Sequence, residues 1–479
     1  MKTFTVFPLK SCKSWHFGIQ YREKKGGAMK LPFDVPQWIA ELMEEDLSIE
    51  RLGECRYPSP FEGMIQETGF IPDNERVIAI TDKGIIEKFI ENGIAIPSFE
   101  KAGPRKKVFF EPGETVSGII TCGGICPGLN SVIRSIVMMN YYRYNNKRTY
   151  GFRYGYAGMV KENGYDVILL TPEVVETIHT DGGTILGTSR GNQDPVKIVD
   201  RLQELGINIL YAIGGDGTLR GAKQIAEEIQ RRGLQIAVVG IPKTIDNDIS
   251  YIDRSFGFET AFSEACDAIY AAHTEAKAHD NGIGIVKVMG RDSGFIAAHA
   301  TIATNEPNFC LVPEVDFDLD GPNGFLSHLT RRLLRRRHAV IVVAEGAGQK
   351  FFVDEKEEYD ASGNKKLKDI GIFLKQKISE HLSKHHIPHS IKYIDPSYTI
   401  RSRPPTPNDS IFCSQLAQAA VHAGMSGRTN VLVGFYQGCF TYIPIDIATR
   451  RRKKIDVNSS LWTSVLETTG QPVSMRNEE

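Results

Sequence analysis

The sequence is short of cysteine, of charge imbalance and of long apolar runs, and each shortage closes off a class of protein. Eight cysteines in 479 residues, at positions 12, 55, 122, 126, 266, 310, 413 and 439, are too few and too scattered for a disulfide scaffold. No CxxC pairs with a second CxxC or with two histidines, so a structural zinc site has no support. The 57 basic and 58 acidic residues nearly cancel, leaving no global field to draw the chain to nucleic acid or to a membrane surface. No apolar run approaches the ~18 residues that mark a membrane-spanning helix. The first residues lack a continuous apolar region and a small-residue cleavage site, and the C-terminus is not a peroxisomal address. A reducing cytoplasm is the expected compartment.

What is present describes an ordinary globular chain, 41% apolar and 24% charged. At ~100–200 residues per domain its length implies more than one core. Residues 1–112 are rich in Pro, Glu and Lys and read as an N-terminal extension packed on a larger body. From Thr115 a strand–loop–helix rhythm begins. Apolar runs at 115–121, 207–213 and 236–241 read as buried strands, and the same pattern returns at 284–289, 309–312 and 339–344. Helices are expected after the first two runs, one through Val132, Ile133, Ile136, Val137 and Met138, the other through Leu219, Ala222, Ile225, Ala226 and Ile229. Strands alternating with helices predict parallel sheets of right-handed βαβ units. Glycine-rich or charged insertions sit just past the strand ends, where open α/β sheets bind ligands. Of the two basic runs, 331–337 fits a helix with Leu333 and Leu334 inward and its arginines in solvent, and 450–454 is the other.

The sharpest motif is GGDGT at 214–218, between a strand and a helix. Glycines let the backbone approach a phosphate, and the helix N-terminus offers free N–H groups. It has neither the spacing of a Walker A loop nor that of a dinucleotide fingerprint. Asp216 would repel phosphates unless Mg²⁺ bridged them. PKTIDND at 242–248 adds two carboxylates; in an extended loop Asp246 and Asp248 point the same way, one to take a proton from an attacking hydroxyl, the other to help hold the metal. Lys243 would neutralise charge developing on a transferred group. The loops at 122–130 and 182–191 are glycine-rich, and the second brings Arg190 as a forked phosphate donor. Arg401 and Lys392 are candidate anchors for a second, monoester phosphate, and Glu345 for sugar hydroxyls. Each weaker loop, read alone, is equally a tight turn.

Taken in order, GGICPGLN, GGTILGTSRG, GGDGT, PKTIDND, VMGRDSGF, AEGAGQ and YIDPSYTIR resemble the 6-phosphofructokinases over about residues 98–440. The segment 99–112 and the long N-terminal region look like the trypanosomatid and plant branch. The resemblance implies an α/β fold: two Rossmann-like three-layer domains with parallel-rich sheets facing each other, plus the N-terminal embellishment. The expected divisions are 1–112, a nucleotide-binding domain at 113–250, a sugar-phosphate domain at 251–403, and C-terminal helices with a return segment at 404–479. It implies Asp246 as base toward the sugar 1-hydroxyl and Asp216 at the Mg²⁺ site. Gly124, Arg190, Gly191, Gly215, Gly217 and Thr218 match nucleotide contacts. Thr244, Met289, Gly290, Arg291, Glu345, Tyr398 and Arg401 match fructose 6-phosphate contacts. A homotetramer is implied by the resemblance alone.

Two departures bear on the reading. Lys243 stands where short bacterial forms have Gly, as in pyrophosphate-dependent relatives, and Gly282 stands where they supply an Arg from a neighbouring subunit. Lys392 is a candidate replacement for such a contact. Pyrophosphate users typically carry an Asp at the place of Gly217, where a side chain would fill the room that an α-phosphate and ribose need; Gly217 therefore favours ATP, with pyrophosphate as the alternative donor. A regulatory paralogue without turnover would lack the base or the metal acid, and Asp246, Asp216 and Lys243 are all present. Lipid and NAD kinases share GGDGT but lack the remaining set. The polar segment 359–366 reads equally as an effector loop or a solvated turn.

Overall fold

The computed structural model describes residues 31–191, 193–353, 358–359 and 365–477. Most of the segment 359–366, weighed above as an effector loop, lies outside the described residues, as do Cys12 and the first 30 residues. The chain divides into two compact units. The smaller comprises residues 1–46 and 82–95; in its described part Phe33 meets Phe89 edge-on at 5.2 Å. Its helix Lys83–Glu91 starts at Asp82, whose carboxylate accepts from the Ile85 N–H at 2.9 Å.

The larger unit, residues 47–81 and 96–479, contains two sheets that carry the chemistry. Five parallel strands form the middle of the first: Val431–Tyr436, Ala237–Pro242, Ile209–Gly214, Val116–Thr121 and Arg148–Phe152. Antiparallel strands close both sides, Cys439–Pro444, Ser98–Lys101 and Arg76–Ile78 on one and Val167–Leu169 on the other. The second sheet is all parallel, in the order Phe309–Leu311, His338–Ala344, Gly282–Val288, Ser390–Ile394. Strands 116–121, 209–214 and 237–242 are buried at every residue, as a parallel sheet covered on both faces requires. The Asp216–Arg231 helix buries Leu219, Ala222, Ile225, Ala226 and Ile229, the stripe read from the sequence.

All six expected strands are present. Strands 148–152 and 390–394 carry too weak a pattern to have been read, whereas 431–436 and 439–444 are largely apolar and were not expected. The chain's ends therefore do more than embellish. The N-terminal extension supplies edge strands 76–78 and 98–101, and the segment expected to be mainly C-terminal helices returns two strands to the large sheet. Two side chains also differ from expectation. Leu333 is buried but Leu334 is 62% exposed, because successive residues on the Phe325–Arg336 helix point about 100° apart. For the same reason Met139, not Met138, completes the buried face of Leu129–Tyr142. No described helix is long and apolar enough to cross a membrane, and the seven described cysteines are free.

Candidate active site

Strand ends of both sheets open onto one cleft of about 820 Å³. From the large sheet come the residues after 116–121, 209–214 and 237–242; from the second come those after 282–288, 338–344 and 390–394. The cleft brings together Gly124, Arg190, Gly191, Gly215, Asp216, Gly217, Thr218, Lys243, Thr244, Asp246, Asp248, Met289, Arg291, Glu345, Tyr398 and Arg401. Of the expected site residues, Gly290 and Lys392 do not line it. Gly290 holds the turn beside Arg291 at a φ of 133°, and its carbonyl accepts from the Gly346 N–H at 3.0 Å. Lys392 lies within the Ser390–Ile394 strand, in register with Gly284 rather than at the strand's open end.

The PKTIDND loop is not extended. Asn247 takes a left-handed φ of 55°, and its amide side chain bonds the Asp253 carbonyl and the Ser255 N–H at 3.1 and 3.0 Å. The two aspartates reach one cleft because the loop turns between them, not because of strand alternation. Thr244 Oγ1 donates to Asp248 at 2.8 Å and accepts from the Asp246 N–H at 3.1 Å. Asp246 Oδ1 is buried and has no hydrogen-bond partner among the described residues. Desolvation, reinforced by Asp248 and Glu345, raises the Asp246 pKa well above the usual carboxylate range. Desolvation likewise raises that of Glu345.

Three cations converge on the glycine turn that follows strand 116–121. Lys243 Nζ donates to the Gly124 carbonyl at 2.5 Å. A Cβ at Gly124 would lie 3.4 Å from Arg401 Nη1 and 3.9 Å from Arg190 Nη2, so both forks stand over this backbone. Arg401 Nε is buried without a partner among the described residues, and its guanidinium lies 5.0 Å from the centre of the Tyr398 ring. Arg401, expected on the sugar-phosphate side, thus stands next to the glycine turn at Gly124 as well. Burial, with Arg190 and Arg401 adding to it, lowers the Lys243 pKa. Such a group of cations calls for an anion.

Asp216 opens its helix beside glycines and pairs with Arg220. Among the described residues no set of three or more His, Cys, Asp or Glu side chains could hold a metal ion by itself. Mg²⁺ commonly takes one or two carboxylates and completes its shell with water and phosphate oxygens, and Asp216, at the start of its helix in the glycine-lined part of the cleft, fits that donor set. Asp248, the other expected ligand, has both oxygens engaged, one by Thr244 and one by Arg452.

Arg452, Lys287 and Asp395 line the cleft but escaped sequence reasoning. Lys287 Nζ bridges Asp369 and Asp395 at 2.8 Å each. Burial disfavours its charge, but these two bonds more than offset that and raise its pKa. Lys287 lies in a strand that reads as purely apolar apart from it, and nothing local marks it as functional. Arg452 lies in the 450–454 run, which in sequence looks like a solvated basic patch. The position where an arginine was missing also has a physical account. A Cβ at Gly282 would sit 2.0 Å from the Ala276 carbonyl oxygen, so no side chain fits there.

Comparison with known proteins gives concordant results. The family profile described as Phosphofructokinase matches residues 116–424. An ATP-dependent 6-phosphofructokinase of Borreliella burgdorferi is 47% identical over 443 residues, covering 90% of this chain and 98% of that one. The ATP-dependent 6-phosphofructokinase of Trypanosoma brucei brucei is 46% identical over 89% of this chain and 88% of its own length. ATP-dependent 6-phosphofructokinase 7 of Arabidopsis thaliana is 48% identical over 82% and 80%. Among solved structures, a pyrophosphate-dependent phosphofructokinase from Marinobacter aquaeolei superposes with a TM-score of 0.62 at 19% identity, covering 74% of this chain and 91% of that one. At that identity the likeness speaks for the fold alone.

Proposed function

The chain belongs to the phosphofructokinase family, and on that premise we propose that its cleft moves the γ-phosphoryl group of ATP to the 1-hydroxyl of fructose 6-phosphate, giving fructose 1,6-bisphosphate. The observation that carries the reading is the unpartnered carboxylate oxygen of Asp246, buried where strand ends of both sheets meet. A base needs a free lone pair within reach of the hydroxyl it serves. Asp246 takes the proton of the 1-hydroxyl as its oxygen attacks phosphorus.

Lys243 and Arg190 stand over the Gly124 loop and balance charge on the transferring group. Arg291, Tyr398 and Arg401 hold the sugar phosphate, and Glu345 and Thr244 fix its hydroxyls and the acceptor loop. Asp216 would hold a Mg²⁺ ion, which would supply charge neutralisation for phosphoryl transfer. ATP rather than pyrophosphate is the donor: the relatives nearly half identical over most of the chain are ATP-dependent by name. Gly217 agrees, since nothing lies within 4 Å of where its Cβ would stand. The homotetramer and the cytoplasmic location expected from the resemblance belong to the same proposal; sedimentation velocity and cell fractionation test them.

The test is an assay of purified protein with fructose 6-phosphate and Mg²⁺, given ATP or pyrophosphate in turn. ATP should support turnover and pyrophosphate should not. Asp246→Asn should lower kcat by ~10²–10⁴ while leaving ATP affinity largely intact. A folded variant with near-normal kcat would remove Asp246 from the mechanism.

A further inference from the structure

The segment after the Ile445–Arg450 helix runs beside the acceptor loop and delivers a guanidinium into the cleft. Arg452 pairs with Ile249 as an isolated antiparallel bridge, and the Lys453 N–H donates to the Asp248 carbonyl at 2.8 Å. Ser250 Oγ donates to the Arg451 carbonyl at 3.0 Å, and Lys453 Nζ donates to the Ile252 and Asp253 carbonyls at 2.8 and 3.0 Å. Further on, the Ile455 N–H donates to Glu314 at 2.9 Å, and Glu314 also accepts from the Gly294 N–H at 3.1 Å. The backbone on both sides of Arg452 is therefore pinned, and its side chain is aimed rather than adrift.

That side chain meets three carboxylates from three loops. Nη1 is hydrogen-bonded to Asp248, Nε lies 3.3 Å from Asp292, and Nη2 lies 3.6 Å from Asp216. The three acids serve different loops: Asp216 heads the GGDGT helix, Asp248 ends the acceptor loop and Asp292 follows Arg291. One cation thus stands among three carboxylates that come from three different loops.

We propose that Arg452 is a positioning residue that makes metal binding depend on the nucleotide. By engaging Asp248 and standing beside Asp216, it removes one carboxylate from the metal's reach and places a positive charge next to the other. A divalent ion then gains a sufficient shell only when phosphate oxygens arrive with it. The inference rests on the reading of Asp216 as the metal-side carboxylate. It requires no movement of the backbone, and it gives the 450–454 run a task inside the cleft.

The experiment measures Mn²⁺ binding to the full-length protein without nucleotide, by loss of the free-ion electron paramagnetic resonance signal. Wild-type protein should bind Mn²⁺ weakly until ATP is added. Arg452→Met and Arg452→Gln should each gain nucleotide-independent Mn²⁺ affinity, at least about tenfold, because each removes a positive charge within a few ångströms of the carboxylate that would hold the ion. Arg452→Lys, which keeps the charge, should stay near wild type, and adding Asp216→Asn to Arg452→Met should abolish the gain. A segment that serves only as a strap would lower the melting temperature and leave Mn²⁺ binding unchanged. Equal Mn²⁺ affinity in wild type and in whichever uncharged variant folds overturns the proposal. Wild-type turnover is assayed separately, so an inactive wild type would count against the proposed reaction, not against the role of Arg452.

Discussion

Gly217 sits in the first turn of the Asp216–Arg231 helix, with open space where a side chain would be. That makes it a useful probe, because a Cβ placed there meets no protein atom within 4 Å. Gly217→Asp should fold with an unchanged melting temperature, since its carboxylate also suits a helix N-terminus. It should raise the KM for ATP well above the shift in the KM for fructose 6-phosphate, by clash and by charge. An unchanged KM for ATP would show that position 217 does not face the donor. Residues of this kind were legible in the sequence because their chemistry is local: a glycine, an acid and a helix start lie within five positions. Asp246 was legible for the same reason, although the geometry that presents it was misread. A turn at Asn247, not an extended run, aims the two carboxylates. Arg452 and Lys287 were not legible, because their meaning depends on acids that arrive from other loops.

Among the elements, six buried parallel strands announced themselves as apolar runs, although the equally apolar strand 431–436 was passed over, whereas strand 148–152 contains arginine and threonine and strand 390–394 is partly buried along its whole length. Helix contacts leave still less trace. His422, a buried residue of helix Pro407–Met425, shares a 2.8 Å hydrogen bond through Nδ1 with the Tyr144 hydroxyl, and its ring lies 5.2 Å from that of Phe61. Burial, helped by Arg105, pushes the His422 pKa from 6.5 down to about 3. The folded protein therefore excludes a proton that the unfolded chain accepts. The stability this contributes is fully present above the unfolded pKa and is lost as pH falls toward the folded one. Between about pH 6.5 and pH 3, roughly 1.4 kcal/mol is withdrawn for each pH unit. His422→Asn, which cannot titrate there, should have a lower melting temperature at neutral pH and a flatter decline in acid. Parallel melting curves for the two proteins across that interval would show His422 to be silent.

For the larger unit as a whole, the remaining question is what joins the N-terminal edge strands to the returning C-terminal part, and buried charge does much of it. Glu100, on strand Ser98–Lys101, accepts from Arg428 Nε at 2.7 Å and from Arg105 Nη2 at 2.9 Å, and pairs with Arg51 at 3.2 Å. Arg428 is wholly buried, and Arg105 and Glu100 nearly so. Asp73 bonds Arg51, Arg105 and Arg428 at 2.7, 3.0 and 2.8 Å, and Arg51 and Arg428 hold its pKa down at about 2 despite partial burial. None of this was visible in a region that reads as polar and punctuated by proline, because Arg428, which closes the network, lies more than 300 positions from Glu100 and Asp73. A buried pair gains little over well-packed apolar groups, yet removing one partner leaves an uncompensated charge that typically costs ~3–5 kcal/mol. Glu100→Gln should therefore sharply lower the denaturation midpoint. Its kcat and both KM values, measured well below that midpoint, should match wild type, since neither Glu100 nor Arg428 lines the catalytic cleft. Arg428→Met should destabilise comparably, and the double variant should fall well short of the sum, because groups in one network do not act independently. Additive losses would mean that the two side chains stabilise the protein separately. Loss of turnover at full folding would mean instead that the N-terminal edge of the sheet communicates with the cleft.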